Sequence, residues 1–461
     1  MAGEIQSTDY GPMAGYFECA PLGSLCVEDG GVQTGPFGSQ LHQEDYVTVG
    51  TPIITVEHLG ENRITRTNLP RVSDEDRARL SRYSLQDGDI VFSRVGSVDR
   101  RALVRREEDG WLFSGRCLRV RVDKKRICPQ FLSWVFGLEG FKEHIRRVAV
   151  GATMPSINTK ILSDIPVYFP PLAEQKAIAA VLGALDDKIE LNRRMNATLE
   201  AMARALFQSW FVDFDPVRAK LDGRPPAALD PATPALFPHS FVETALGHIP
   251  HGWAVCPLSE KIQRLSGGTP KTSEPTYWDG DIPWYSVRDA PSETDVWVIH
   301  TDKQVTKLGI ANSAAQVFPE KTTIISARGT VGKLALTAVP MAMNQSCYGV
   351  RGITGYGDYF TYYSLREATA QLQQRTHGTV FDTITTETFK TLDCIFPTPK
   401  ITAAFDKLVE PLLGQIRANI HQSRTLATLR DTLLPKLLSG ELSVAPTDKE
   451  SLSVQNTSKK S

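Results

Sequence analysis

The chain has 461 residues, 41% of them hydrophobic and 22% charged, with 51 basic against 52 acidic side chains and a formal net charge of -1. This is room for two or three globular domains, and it excludes a chain that is basic throughout, so any contact with a polyanion must be made by local faces. The seven cysteines form no CxxC pair and read as free thiols in a reducing cytoplasm, and no run of about 18 apolar residues marks a membrane span.

Residues 1–172 read as a first globular segment. ITVEHL (54–59), DIVFSRV (89–95) and CLRVRV (117–122) carry strand signals, and QFLSWVFGLEGFKEHIRRVA carries the spacing of an amphipathic helix. The stretch Arg94, Arg100, Arg101, Arg105 and Arg106, followed by Arg116, Arg119 and Arg121, is dense enough to offer phosphate contacts; Arg119 and Arg121 lie two apart in CLRVRV and share a strand face, and with Arg94 and Arg100 they are the candidate DNA contacts. Pro170-Pro171 then closes the segment and opens a helix, expected over 173–212. Residues 213–250 are rich in proline and read as a linker. A second globular segment follows over 251–398, a second helix over 399–440, and a polar, disordered tail over 441–461.

The two helices carry one apolar ladder. Ile178, Leu182, Leu185, Ile189, Asn192, Asn196 and Leu199 step by three and four. Phe405, Val409, Leu412, Ile416, Asn419, Ser423 and Leu426 repeat the series 227 residues later. A 3.5-residue period kept this long is the mark of a coiled coil, so the helices are expected to pair antiparallel. The polar rungs then find partners, Asn196 opposite Asn419 and Asn192 opposite Ser423, which fixes register at some cost in stability.

The globular segments share punctuation rather than side chains. SLQDGDIVFSRVGSV is echoed by AQVFPEKTTIISARGTV, with Gly96 matched to Gly329, and GATMPSINTKILSDIPVYFPP by GTVFDTITTETFKTLDCIFPTP. The fold expected is α+β: two similar mixed modules, separated by two long antiparallel coiled-coil helices in a pseudo-twofold repeat. In the second module GGTPKTSEPTYW and WYSVRD offer Lys271 and Arg288, with Tyr277 or Tyr285 to pack on sugar or base, and ISARGTVGK offers Arg328, Thr330 and Lys333. Trp278 and Trp284 read as core aromatics. Asn344 and Gln345 could bond adenine, although neighbours in a strand point opposite ways. His377 reads as a surface or capping histidine.

GATMPSIN, IPVYFPPLAEQKAIAAVL, LGHIPHGWAVCPL, SGGTPKT, IISARGTVG and LRDTLLPKLLSGEL, in this order, resemble the specificity subunit of Type I restriction-modification enzymes. The resemblance covers nearly the whole chain, departing where PTPKITAAF replaces PPLAEQKAI at the second junction. It implies a non-catalytic cytoplasmic subunit with two target recognition domains, each reading half of a split sequence in double-stranded DNA. Two helical regions would set the interval and dock two methyltransferase subunits, while restriction and translocation subunits complete the complex. S-adenosylmethionine, ATP and magnesium would sit on those partners, with no cofactor, metal or catalytic residue here.

Two other readings stay open. One is a coiled-coil scaffold that reads no DNA. The other is a metal-dependent nuclease, from Asp109 and Asp123-Lys124-Lys125, for which the second module has no counterpart. A methyltransferase is excluded by the lack of any glycine-rich nucleotide loop at a strand-helix junction or Asn/Asp-Pro-Pro-aromatic motif, and there is no P-loop.

Overall fold

The computed structural model describes residues 5–36, 40–225, 232–353, 355–375 and 383–444. His377, residues 226–231 of the expected linker and most of the expected tail, from 445 on, lie outside them. The chain divides into two compact units, one made of residues up to Lys188 with those from Leu426 on, the other of Ile189–Thr425. Among the described residues no helix is long and apolar enough to cross a membrane.

Both units are built on one plan. In the first, Val32–Thr34, Cys117–Val120, Ile90–Ser93 and Arg101–Leu103 form a sheet in that order. In the second, Ile262–Ser266, Cys347–Gly352, Thr323–Ser326 and Leu334–Thr337 repeat the order, with Trp297–Val298 added at the edge. Beside each sheet stands a parallel strand pair, Thr51–Ile54 with Leu112–Phe113 and Trp278–Tyr285 with Ala342–Met343. An antiparallel pair closes each module, Glu18–Pro21 with Pro166–Phe169 and Ala254–Pro257 with Asp393–Phe396, and the second strand of each pair runs on into a long helix.

Even the entry hairpins match. Ile5–Thr8 pairs with Gly11–Ala14 as Phe241–Thr244 pairs with Gly247–Pro250. Thr8 Oγ1 donates to Gly11 O at 2.7 Å and Thr244 Oγ1 to Gly247 O at 2.8 Å. Both glycines take positive φ, 108° and 94°, which a side chain would resist.

The long helices are Leu172–Phe211 and Pro399–Leu438, 40 residues each. They fall within two residues of the helices expected at 173–212 and 399–440, and each contributes one stretch to each unit. Within the first unit Ile178 and Leu182 share a core with Trp134, Phe169, Leu437 and Leu438. Within the second, Phe207, Trp210 and Phe211 pack with Phe360, Phe405 and Val409. In both units rising numbers on one helix meet falling numbers on the other, so the pairing is antiparallel. The apolar rungs Ile178, Leu182, Ile189, Val409 and Ile416 are buried, while Leu185, Leu199, Leu412 and Leu426 are half-buried.

Residues 213–250 differ from the expected extended linker. Asp215–Leu221 is helical, Phe241–Pro250 holds the hairpin, and Phe214, Val217, Phe237 and Ile249 are buried in the second unit's core with Trp253. Pro216 and Pro234 sit at helix starts, where their missing donor costs nothing, while the aromatics supply the apolar area that folds the segment. The helix expected from QFLSWVFGLEGFKEHIRRVA is two, Pro129–Val135 and Glu139–Val148, broken around Gly137.

Candidate nucleic-acid interface

A shared arrangement of loops stands at the carboxyl end of each parallel strand pair. In the first module Ser114 N donates to Ile54 O, and Ser114-Gly115-Arg116 forms a tip beyond the strands. In the second, Asn344 N donates to Tyr285 O at 2.9 Å, and Asn344-Gln345-Ser346 forms the same tip. Three further segments converge on each tip. The first is a glycine loop, in which a Cβ on Gly35 or Gly267 would drive into the carbonyl of Ser114 or Asn344. Only glycine lets the chain approach so closely.

The second is the Ser-x-x-Gly loop after the central strand. Arg94 N bonds Arg116 O and Ala327 N bonds Ser346 O, both at 2.8 Å, while Gly96 and Gly329 turn at φ 75° and 78°. The third is a single three-ten turn following the first parallel strand, Val56–His58 or Val287–Asp289. Its ends are tied by reciprocal side-chain caps, Thr55 with His58 and Ser286 with Asp289.

Several expected DNA contacts fall here. Lys271, Arg288, Arg328 and Thr330 are exposed. The Lys271 loop is held by tryptophans, Trp284 Nε1 donating to Gly268 O at 2.9 Å and Trp278 Nε1 to Lys271 O at 3.2 Å. Arg94 is half-buried and donates to Gly115 O at 3.1 Å, which puts its backbone and guanidinium in the first module's cluster. Lys333 is exposed but lies past this loop, lining a cleft of about 400 Å³ with Arg204 and Arg366. Arg100 is exposed, with one guanidinium N–H given to Leu59 O.

Others are corrected. Arg119 and Arg121 do share a face, but that face points inward. Arg119 is 3% exposed, donates to Gly30 O and Ser84 O, and burial pushes its guanidinium down to about 10. Arg121 makes a bidentate pair with Asp89 at 2.8 and 2.7 Å and also donates to Ser84 O. A strand buried throughout, as Cys117–Val120 is, has no solvent face to offer phosphate. Arg101 is likewise buried, pushed down to about 10, and donates to Ser133 O. Tyr285 is fully buried and cannot stack on a base. Asn344 and Gln345 occupy a turn rather than a strand. Asn344 Oδ1 accepts Ser346 N, and Gln345 Oε1 accepts the Thr269 hydroxyl, so both serve to shape the tip.

Glu57 and Asn68 escape the reading of the sequence, whereas Arg116 belongs to its basic stretch. They line a cleft of about 750 Å³ in the first module with Thr55, His58 and Gly115. The signal was present in TVEH (55–58) against SVRD (286–289), which aligns Glu57 with Arg288.

The polar rungs form a layer in the second unit. Asn419 Nδ2 donates to Asn196 Oδ1 at 2.9 Å, and Asn192 Nδ2 to Ser423 Oγ at 3.1 Å and Gln422 Oε1 at 2.9 Å. Asn196 Nδ2 also reaches Asp295 Oδ1 at 2.9 Å, tying the layer to the module. In the first unit the equivalent tie is ionic. Asp186, 7% exposed on the first long helix, meets Arg63 at 2.8 Å, Arg430 at 3.1 Å and Arg105 at 3.4 Å.

As for metal chemistry, Asp109 accepts Asp87 N, Asp123 accepts Lys125 N, and Lys124 donates to Asp87 O. Among the described residues no group of three or more His, Cys, Asp or Glu side chains gathers as a metal site.

Comparison with known proteins agrees with this doubling. The Type I restriction modification DNA specificity domain matches twice, over residues 36–201 and 250–421. The HindI specificity subunit of Haemophilus influenzae is 27% identical over 406 residues, covering 78% of this chain and 88% of that relative. The MjaIX specificity subunit of Methanocaldococcus jannaschii is 26% identical over 339 residues, covering 72% and 73%. Among solved structures, the S subunit of a Type I restriction-modification system from M. genitalium superposes with a TM-score of 0.56 at 16% identity, over 91% of this chain and 96% of that one. With the specificity domain matched in both halves, the chain belongs to the Type I restriction-modification DNA specificity family.

Proposed function

We propose that this chain is the sequence-reading subunit of a Type I restriction-modification complex, each module reading one half of a bipartite target in double-stranded DNA. The observation that carries the reading is the loop cluster built twice on one scaffold with different side chains: Ser114-Gly115-Arg116 against Asn344-Gln345-Ser346, and Glu57 against Arg288. Backbone shared between copies holds a duplex in one way, and side chains that differ make the two half-sites unlike. The long helices set the unread interval and dock two methyltransferase subunits, and restriction and translocation subunits join through that core. Methylation and cleavage belong to those partners, which carry S-adenosylmethionine, ATP and magnesium.

The test is selection from a random duplex pool by this chain assembled with its methyltransferase subunits, at several salt concentrations. A reader enriches a split motif, with affinity falling as salt rises through counterion release. A coiled-coil scaffold without readout enriches none.

A further inference from the structure

The three-ten turn at the end of the first parallel strand presents one exposed side chain per module, and the two are opposite in charge. Glu57 and Arg288 each stand three residues past the last residue of that strand, Ile54 or Tyr285, and at the centre of a three-residue turn. The flanking residues are committed to the turn itself. Thr55 and His58 cap each other, as do Ser286 and Asp289, and Asp289 Oδ1 also accepts Asp302 N. Among the described residues neither Glu57 nor Arg288 has an ion pair, and both are exposed. Exposed charges on a turn whose flanking side chains cap each other are held in place and left free to meet a base edge.

Resting on the reading of the chain as a DNA specificity subunit, we infer that Glu57 and Arg288 occupy one and the same readout position in the two modules, with inverted polarity. Glu57 accepts from the N4 amino group of a cytosine in one half-site, and Arg288 donates to O6 and N7 of a guanine in the other. A carboxylate has only acceptor oxygens to offer a base edge, and a guanidinium only donors. In the major groove the matching partners are therefore the cytosine amino group and the guanine acceptor pair. The surroundings fit those roles. Glu57 lines the first module's 750 Å³ cleft beside Arg116 and Asn68, while Arg288 lies one turn from the Asn344 tip, reached through the Asn344–Tyr285 hydrogen bond. Two phosphate contacts would not be expected to include a carboxylate, since like charges repel there.

The experiment maps methylated sites made in cells by the complete complex carrying the unaltered chain, Glu57→Ala or Arg288→Ala. The unaltered complex methylates a split motif with a cytosine in one half and a guanine in the other. Arg288→Ala lowers the preference for that guanine by about ten- to a hundredfold and leaves the other half-site unchanged; Glu57→Ala does the same for the cytosine. The inference is overturned if a variant keeps full discrimination at every position, if both variants alter the same half-site, or if Arg288→Ala weakens methylation uniformly across sequences, as loss of a phosphate contact would. An unaltered complex that methylates no split motif overturns the underlying reading, and the inference with it.

Discussion

Replacing Asp186 by alanine should loosen the first module from the helix it rides on. The carboxylate is 7% exposed and receives three guanidinium groups at 2.8, 3.1 and 3.4 Å, from Arg63 and Arg105 of the module and Arg430 of the second long helix. Breaking a buried ion pair costs about 3–5 kcal/mol, because it strands the opposite charge. Here the loss falls at the lower end, since Arg63 and Arg105 keep Asp187, which is 64% exposed, and Arg430 keeps Asp431. A loss of about 3 kcal/mol lowers the melting temperature of a unit of this size by roughly 6–12 °C. Asp186→Asn retains acceptor geometry without charge and should lose about half as much. Differential scanning calorimetry of the assembled complex, with Asp187→Ala as the exposed control, reads the difference. If Asp186→Ala costs no more than Asp187→Ala, the carboxylate is not the anchor that the distances imply.

The asparagine layer should show coupling. Asn196→Leu or Asn419→Leu alone strands a buried amide at a cost of about 1–3 kcal/mol, while the double substitution recovers most of it; additive losses in chemical denaturation would contradict the pairing. Arg119→Ala should lower stability and leave the salt dependence of DNA binding unchanged, because its guanidinium is spent on Gly30 and Ser84. Arg328→Ala and Lys271→Ala should each flatten that dependence by about one unit of slope, and unchanged slopes would remove them from the interface. Gly267→Ala should cost about 1–3 kcal/mol through overlap with Asn344 O and disturb one half-site only, measured by thermal melting and binding selection; wild-type behaviour would show that the close approach is unimportant.

The helices were legible because a 3.5-residue period survives any detail of packing: Ile178, Leu182, Val409 and Ile416 are buried where the ladder put them. The strands at Ile90–Ser93 and Cys117–Val120 were legible from apolar content, but not which side of them meets water. Alternation gives two faces and is silent when both are covered, so Arg119 and Arg121 were assigned to solvent although one is buried and the other spent on Asp89. The segment 213–250 was misread because prolines mark breaks in regular structure, whereas Phe214 and Phe237 report burial, and burial decides. Glu57 escaped because the offset between copies drifts from 236 at the entry hairpins to 227 at the helices, with 231 at the three-ten turn, so no single shift aligns the site.

One loop cluster, built twice with unlike side chains, reads two different half-sites. The most direct measurement is the set of methylated sites that the native complex leaves in genomic DNA. Two unlike modules should leave two short, dissimilar sequence elements separated by an interval of fixed length and free composition; a contiguous motif or a perfect palindrome would rule this out.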